Sequence, residues 1–301
     1  MISLDDVLRA HARLRTCLGA TPLRRYAALD EEVGQDIEVW VKHENHLPTG
    51  SFKARTGLAA ISALTPPERR AGIVAASRGN HGIGLAWAGM VLDTRVTICV
   101  PRGSHPESHR CMRGFFASVV EEGGDYAEAA ARAEELARAR GLTLVRASNA
   151  LVAGAATITL EIIEQQPELD AIVFVVEGGA MALGGLTVLR ALRPQCKVYA
   201  VELPARGAHR RHPRAAAALP CDIAGLVTVS DGEVAAAIRM LVRTTHNLAD
   251  GGGAAGLAGL LKLRARLAGK TVAIVLAGAN IDEATLARVL SGDVERASSL
   301  A

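Results

Sequence analysis

The sequence has few aromatic residues, few cysteines and almost no excess of charge. Phe, Trp and Tyr make up 3% of the 301 residues, so the core has to be built mainly from Ala, Val, Leu and Ile. The five cysteines are odd in number and contain no CxxC pair, which argues against a disulfide framework or a zinc knuckle. Free thiols are typical of a reducing compartment, and we therefore expect a cytoplasmic protein.

Neither the charge balance nor the hydropathy favours nucleic acid or a membrane as a partner. Lys and Arg number 34 against 31 acidic residues, and a net charge of +3 is too small for a nucleic-acid footprint. The basic run at 206–214 has no aromatic residues between its charges, so we interpret it as a solvated loop. No apolar run is long enough to span a bilayer, and the first residues lack the pattern of a signal peptide.

Apolar strand-like runs alternate along the chain with helix-like runs. The predicted strands are 37–44, 71–77, 96–101, 117–124, 142–148, 171–179, 196–203 and 271–280. The predicted helices are 1–16, 51–64, 83–92, 107–117, 126–141, 155–166, 181–192, 231–247 and 253–269. Apolar strands separated by helices indicate an α/β protein whose parallel sheets are covered on both faces.

Ligands of such folds bind at the carboxyl ends of strands, in glycine-rich turns. Four turns have this character: NHLPTGSFK (45–53), SRGNHG (77–82), EGGAMALGG (177–185) and LAGAN (276–280). In the first turn, Ser51 is a candidate cap for the following helix, and Lys53 lies in the first turn of that helix. Lys53 is either an ordinary surface lysine or a lysine that bonds a carbonyl cofactor, and its position alone does not decide between the two.

The second and third turns each have an anion-binding and a structural interpretation. SRGNHG lacks the G-x-G-x-x-G order of a dinucleotide site, and the next strand ends without an acidic residue, which disfavours a Rossmann dehydrogenase. Asn80 and His81 are either turn-forming residues or ligands of a carboxylate or a ring hydroxyl. In EGGAMALGG, small residues either admit a phosphate or pack a helix on a strand, and Glu177 adds a negative charge there.

In their order along the chain, these segments resemble the pyridoxal-phosphate (PLP) serine/threonine dehydratases, a family that includes serine racemases. The matching pieces are TPL (21–23), VKHENHLPTGSFKARTG (41–57), SRGNHG (77–82), VAGAATITLEI (152–162), VVEGGAM (175–181), HNLADGGGAAGLAGL (246–260) and VLAGANID (275–282). HENxxPTGSFKxR is the most specific of them. The resemblance implies the fold type II architecture of PLP enzymes, like the tryptophan synthase β chain, with two open twisted and mostly parallel sheets flanked by helices. It also implies a large PLP-binding domain of residues 1–70 and 146–301, a small domain of residues 71–145, and a homodimer.

The resemblance further implies roles for individual residues. Lys53 is the expected catalytic residue, which forms a Schiff base with PLP and later moves the α-proton of an amino-acid substrate. The expected cofactor-binding residues are Phe52, Lys53, Asn80, Gly178, Gly179, Ala180, Met181, Asp250 and Ala277. The expected substrate-binding residues are Ser77, Arg78, Asn80 and His81.

Several residues depart from the family pattern. Glu177, Ala180 and Met181 interrupt the glycine run of the phosphate loop, and Ala277 replaces a serine that bonds the pyridine nitrogen. Arg78 replaces the hydroxyl residue that racemases use as a second acid/base. Glu202 is kept from a metal-site pattern, but Ala208 stands where a second carboxylate is expected, so we expect no metal.

The expected activity is that of a PLP-dependent ammonia-lyase. It converts L-threonine, L-serine or a related hydroxy amino acid to a 2-oxo acid and ammonia. Two alternatives stay open: altered β-elimination or β-replacement chemistry on the same fold, and a non-catalytic relative with a degraded cofactor site.

Overall fold

The computed structural model describes residues 2–176, 178–203 and 223–293. The chain divides into two compact units, and each is described by itself. The first unit comprises Met1–Gly19 and Leu47–Ala155, and the second comprises Ala20–His46 and Ala156–Ala301. Residues 47–70 therefore belong to the first unit by their contacts. The assignment of 1–70 and 146–301 to a PLP-binding domain stays a prediction.

The first unit contains a parallel four-stranded sheet within the described residues, in the order β5-β4-β3-β6. Its strands are β3 (Ile73–Ala76), β4 (Val96–Val100), β5 (Ser118–Glu121) and β6 (Thr143–Leu144). Its helices are α1 (Leu4–Leu14), α3 (Lys53–Ser62), α4 (Pro66–Ala71), α5 (Asn80–Val91), α6 (Pro106–Gly114) and α7 (Tyr126–Arg140), and α8 (Asn149–Gln165) begins here.

Both faces of the β3–β4 region are buried. Ile73 and Ala75 pack into the core cluster on the α3 and α5 side, whereas Val74 and Ala76 pack into the cluster on the α7 side. Because successive residues of a strand point to opposite faces, a continuous apolar strand has to be covered on both sides. The predicted alternation of buried strands and covering helices is therefore confirmed in this unit.

Helices α3 and α5 are in backbone contact through glycine. A Cβ atom built on Gly84 would lie 2.2 Å from the carbonyl oxygen of Lys53, and one built on Gly57 would lie 2.3 Å from the carbonyl oxygen of Gly84. Only glycine permits this approach, since a side chain at either position would overlap the backbone of the other helix. The first turn of α3 is therefore held directly against α5.

The second unit contains a sheet of six described strands in the order β1-β2-β10-β7-β8-β9. The strands are β1 (Leu23–Arg25), β2 (Glu38–His43), β7 (Ala171–Val175), β8 (Lys197–Glu202), β9 (Gly225–Thr228) and β10 (Thr271–Leu276). The helices are α2 (Ala27–Val33), the later part of α8, α9 (Ala180–Leu192), α10 (Asp231–Thr245), α11 (Gly251–Leu263) and α12 (Glu283–Ser291). All pairings are parallel except that of β1 with β2.

A buried ion pair joins β2 to α8 within the second unit. The Lys42 ammonium is fully buried and donates to the Glu161 carboxylate at 2.7 Å and to the Thr21 carbonyl at 2.8 Å. The Thr21 hydroxyl donates in turn to Glu44 at 2.7 Å. These contacts compensate the desolvation of the charges and fix the end of β2, which leads into the 3₁₀ turn Glu44–His46.

The predicted α/β class, with two mostly parallel sheets flanked by helices, is confirmed. The unpredicted elements are β1, α2, α4, β9 and α12, which are short or have few buried apolar residues. The predicted helix 83–92 begins earlier, at Asn80, so Asn80 and His81 belong to its first turn. Among the helices of the described residues, none is long and apolar enough to cross a membrane.

Candidate functional site

Lys53 is the first residue of α3 and lies beside an aromatic ring. Its ammonium nitrogen is 4.3 Å from the centroid of the Phe52 ring, and Phe52 is buried. A cation over the face of a ring is attracted by the ring's negative quadrupole. The predicted cap by Ser51 is wrong: Phe52 occupies the cap position, and no side-chain cap bond is found there among the described residues.

The loop before Lys53 leaves one polar atom without a partner. Gly50 has φ +66°, in the left-handed region that favours glycine, and the Thr49 hydroxyl donates to the Ser51 carbonyl at 2.9 Å. The hydroxyl of Ser51 is fully buried and finds no hydrogen-bond partner in the described part of the chain. A buried polar group without a partner is costly, so this hydroxyl is a candidate contact for a bound ligand near Lys53.

The SRGNHG turn follows β3 and is closed by its own serine. The Ser77 hydroxyl oxygen accepts from the amides of Gly82 at 2.8 Å and Gly79 at 3.2 Å, and it can donate to the Gly79 carbonyl at 3.2 Å. Asn80 and His81 follow as the first two residues of α5, so their amides lie at a helix N-terminus, which favours an anion. The turn thus uses the Ser77 hydroxyl to hold its own shape.

His81 is neutral at physiological pH. Burial, and then the positive charge of Lys53, lower its pKa to about 4. The same charge interaction shows that Lys53 and His81 lie close enough to influence each other. The neutral imidazole can therefore offer one donor and one acceptor without adding a second positive charge.

A cavity of about 170 Å³ adjoins this turn in the first unit. Its polar lining residues are His81, Tyr126, Glu134 and Arg146, and the others are Ala76, Ala130, Ala133, Leu144, Val145 and Ala147. Arg78 lies next to it, with its guanidinium carbon 5.4 Å from the centroid of the Tyr126 ring. Tyr126, Glu134 and Arg146 were not predicted from the sequence to line a cavity. Of the three, only Arg146 carries a signal in the sequence, because it lies directly beyond the carboxyl end of β6.

The EGGAMALGG turn lies in the second unit, where it joins β7 to α9. Gly178 and Gly179 have φ values of +62° and +79°, which L side chains rarely adopt, and Gly179 caps α9. Ala180 and Met181 are the first residues of this helix of 13 residues, so the turn presents backbone amides at a helix N-terminus. Glu177 lies outside the described residues.

The alternative interpretation of this segment, helix packing by small residues, also holds for its last glycine. A Cβ atom on Gly185 would lie 2.6 Å from the ring of Phe174 in β7. The first two glycines therefore shape the turn, and Gly185 lets α9 approach the sheet.

Asp250 and Ala277 meet at the ends of α11 and β10. The Asp250 carboxylate caps α11 by accepting from the Gly253 amide at 2.7 Å, and its own amide donates to the Gly278 carbonyl at 3.0 Å. A Cβ atom on Gly253 would lie 2.0 Å from that carbonyl oxygen, so the contact requires glycine. The methyl group of Ala277 is buried and offers no hydrogen bond. Since β10 pairs with β7, Ala277 and the Gly178–Gly179 turn follow neighbouring strands.

The residues of each unit fit a part of PLP. In the first unit, Lys53 supplies an amine beside the buried Phe52 ring, and the buried Ser51 hydroxyl has no partner among the described residues. In the second unit, the Gly178–Gly179 turn supplies amides for a phosphate, and Ala277 supplies no polar side chain. For a metal the donor set is poor: no group of three or more His, Cys, Asp or Glu occurs in the described ranges. Ala208, which stands in the metal-site pattern, lies outside those ranges.

Comparison with known proteins agrees with this chemistry. Residues 14–278 match the model of the family described as pyridoxal-phosphate dependent enzyme. An L-threonine ammonia-lyase of Thermotoga maritima is 32% identical over 97% of this chain and 79% of that protein. An L-threo-3-hydroxyaspartate ammonia-lyase of a Pseudomonas species is 29% identical over 96% of this chain and 99% of that protein.

A solved structure shows the same fold. The crystal structure of a pyridoxal 5'-phosphate-dependent aspartate racemase matches with a TM-score of 0.86 and 26% identity, over 95% of this chain and 98% of that one. The match is longer than either unit alone, so it covers both sheets. The family match spans the segments that carry Lys53, the SRGNHG turn and the Gly178–Gly179 turn. This chain belongs to the pyridoxal-phosphate-dependent enzyme family.

Proposed function

We propose that this protein is a PLP-dependent ammonia-lyase that acts on L-threonine, L-serine or a related hydroxy amino acid. The observation that carries the proposal is the Lys53 amine over the buried Phe52 ring, and a His81 whose pKa is lowered to about 4 by burial and by the charge of Lys53 supports it. A lysine that has to bond a carbonyl and then accept a proton needs a neighbour that does not repel its charged form. His81, with its pKa of about 4, satisfies this condition.

We assign the cofactor contacts as follows. Lys53 would hold PLP covalently through its side-chain nitrogen, Phe52 would pack against the ring, and Asn80 would bond the ring hydroxyl. The turn of Gly178, Gly179, Ala180 and Met181 would bind the phosphate through its amides. Asp250 caps α11 and so shapes its end, and the Ala277 side chain would offer the pyridine nitrogen no hydrogen bond. When bound, PLP supplies the electron sink that stabilises negative charge on the substrate α-carbon.

The reaction then follows from the residues of the first unit. The amides at the start of α5 bind the substrate α-carboxylate, with the side chains of Asn80 and His81 beside it. The Lys53 amine, freed when the substrate amine takes its place, would remove the α-proton, and the β-hydroxyl would leave with a proton as water. The resulting enamine takes up a proton and is hydrolysed by one water molecule. The balance is therefore conversion of one hydroxy amino acid to one 2-oxo acid and one ammonia.

Racemisation is the less favoured reaction for this site. It requires a second acid/base on the opposite side of the α-carbon from the lysine. Arg78 stands at the position expected to supply that group, and a guanidinium is not deprotonated in proteins. The retained Lys53, the buried Ser51 hydroxyl and the left-handed glycines likewise favour an enzyme over a non-catalytic relative.

The test is an absorbance spectrum of the protein with added PLP, before and after borohydride, followed by an assay of keto-acid release. We expect a Schiff-base band that borohydride removes, and 2-oxobutanoate from L-threonine or pyruvate from L-serine. Lys53→Ala should lose both the band and the activity. Lys197→Ala is the matched control, because Lys197 is an exposed residue of β8. A band that persists in Lys53→Ala would contradict the assignment of Lys53.

We also propose a cytoplasmic homodimer, on the strength of the resemblance and of the free thiols. Light scattering after size-exclusion chromatography should give about twice the chain mass of 31.4 kDa. A monomer under conditions that retain activity would refute the dimer.

A further inference from the structure

We infer that Ser104, His109 and Glu121 form a second reactive centre in the first unit, which hydrolyses esters of short carboxylic acids through an acyl group carried on the Ser104 oxygen. The inference goes beyond the proposed function, because none of the three residues is assigned to PLP or to the amino-acid substrate. It rests on a chain of hydrogen bonds that joins a hydroxyl, an imidazole and a carboxylate.

The three side chains come from consecutive parts of the chain. Ser104 lies in the loop between β4 and α6, His109 lies in the first half of α6, and Glu121 is the last residue of β5. The Ser104 hydroxyl oxygen is 2.8 Å from Nε2 of His109, and Nδ1 of His109 is 3.1 Å from Oε1 of Glu121. These distances are those of a nucleophile bonded to a base that a third group orients. Such a set is recognised by geometry and roles rather than by order along the chain.

Glu121 selects the tautomer of His109. A carboxylate accepts hydrogen bonds, so the N–H of a neutral imidazole has to lie on Nδ1, which faces Glu121. Nε2 then carries a lone pair and accepts from the Ser104 hydroxyl. The opposite tautomer would set the Nδ1 lone pair against the carboxylate. His109 is therefore oriented as a general base for Ser104.

Burial fixes the imidazole, whereas the carboxylate stays partly in water. His109 is only 4% exposed, so its ring keeps one orientation. The Glu121 side chain is 44% exposed, and the same oxygen that faces His109 also accepts from the Arg113 guanidinium at 3.3 Å. Because water and Arg113 share this carboxylate, we expect Glu121 to contribute less to the reaction than His109 does.

The surroundings of Ser104 leave its hydroxyl reactive. The hydroxyl oxygen is also 2.7 Å from the Pro101 carbonyl oxygen, so rotation alone moves its proton between this carbonyl and His109. Gly103 is exposed, and no described atom lies within 4 Å of a Cβ atom built on it, which leaves room for a small ester. The nine-residue helix α6 begins two residues after Ser104, and amides at a helix start stabilise the negative charge that develops on an ester oxygen.

The reaction needs only the ester and water. The Ser104 oxygen bonds to the carbonyl carbon of the ester while its proton passes to Nε2 of His109. The bond from that carbon to the alcohol oxygen then breaks, and the alcohol leaves with the proton. A water molecule that gives a proton to His109 attacks the acyl group, which leaves as a carboxylic acid while the proton returns to the Ser104 oxygen.

The experiment treats the PLP-loaded protein with 4-nitrophenyl acetate and, separately, with a fluorophosphonate probe, whose phosphorus bonds to an activated serine as fluoride leaves. Peptide mass spectrometry should place the probe on Ser104. Ser104→Ala should lose the label and lower kcat/KM for the ester by roughly 100-fold or more. The matched control is Ser291→Ala, because the exposed Ser291 hydroxyl donates to the Arg288 carbonyl at 3.1 Å and bonds no imidazole among the described residues. It should keep the label and the ester hydrolysis.

Two variants separate a base from a hydrogen-bond chain that only holds the loop. His109→Gln should lower the rate of labelling by roughly 100-fold, and Glu121→Gln, which keeps an acceptor but removes the charge, by roughly tenfold. The PLP band serves as the check of folding in each variant. Labelling at the wild-type rate in His109→Gln, or a label on a residue other than Ser104, would overturn the inference.

A cysteine in place of Ser104 gives a test that needs no ester. In Ser104→Cys, the introduced thiol would lie beside His109 and should react with iodoacetamide roughly tenfold faster than Cys111, an exposed free thiol of α6. Equal rates for the two thiols would refute the role of His109.

The acyl chain length tests the substrate class. Without a pocket for a long chain, 4-nitrophenyl decanoate should give a kcat/KM no higher than the acetate, since the added CH₂ groups gain no burial. A clear preference for the decanoate would refute the assignment to short acids.

Discussion

Replacement of Gly84 by alanine should loosen the contact that holds Lys53 in place. The added Cβ atom would lie 2.2 Å from the Lys53 carbonyl oxygen, whereas ordinary contacts begin at 3.4 Å. The obstacle is backbone rather than a flexible side chain, so α3 and α5 have to separate by about 1 Å. Overpacking of this kind costs about 1–3 kcal/mol or more, and the better helix propensity of alanine returns about 1 kcal/mol. Because the obstacle is backbone, the upper end of this cost applies, and we expect a net loss of about 2 kcal/mol in the free energy of unfolding.

Urea unfolding followed by tryptophan fluorescence measures this loss. Trp87 lies in α5, three residues after Gly84, and reports the first unit, whereas Trp40 lies in the second unit. The Trp40→Phe background therefore isolates the signal. The matched control is Gly114→Ala in α6, where no described atom lies within 4 Å of the added Cβ atom. This control should be neutral or slightly stabilising.

The same substitution should also weaken the chemistry. Since the displaced carbonyl belongs to Lys53, a shift of about 1 Å should lower kcat by up to roughly 100-fold. An unchanged urea midpoint together with an unchanged PLP band and kcat in Gly84→Ala would refute the close α3–α5 contact.

Three further predictions concern stability. Acidification from about pH 6.5 to about pH 4 should lower the free energy of unfolding, because the folded pKa values of His43 and His81 are lowered from 6.5 to about 4. The unfolded chain therefore binds these protons first as the pH falls. Each proton lowers the free energy of unfolding by roughly 3 kcal/mol at most. With Gln in place of either histidine, the urea midpoint should depend less on pH. Lys42→Met alone should lower the free energy of unfolding by about 3–5 kcal/mol, because it leaves the Glu161 carboxylate buried without its cation. The double variant that also carries Glu161→Leu should recover most of this loss in the same urea assay. Asp250→Ala removes the cap of α11 and should lower the free energy of unfolding by about 1 kcal/mol, whereas Asp250→Asn should keep most of this stability. Equal thermal midpoints for the two variants would contradict the capping role of Asp250.

Much of the architecture was predictable from local patterns. The buried strands β3, β4, β7 and β10 are short apolar runs between helices, and this pattern suffices to predict parallel sheets covered on both faces. Lys53 was singled out by its sequence context, because the SFK turn that positions it is contiguous in the chain. β1 was not predicted, since three residues carry too little periodicity to distinguish a strand from a loop.

Contacts between distant parts of the sequence could not be predicted in the same way. The local sequence does not show that Lys42 pairs with Glu161. It also does not distinguish the Ser77 hydroxyl, which closes its own turn, from the Ser51 hydroxyl, which has no partner among the described residues. Each depends on which side chains the fold brings within about 3 Å, a distance set by helix and strand packing rather than by spacing along the chain.

The sequence by itself determined the fold class and the family, and it singled out Lys53 as the candidate reactive lysine, because these depend on periodicity and on short contiguous motifs. Only the tertiary structure decided that Arg78 meets Tyr126, and that Glu134 and Arg146 line a cavity next to His81. Those residues come from the end of β3, from α7 and from the end of β6. These side chains come together only when parallel strands bring their carboxyl ends to one edge of the sheet.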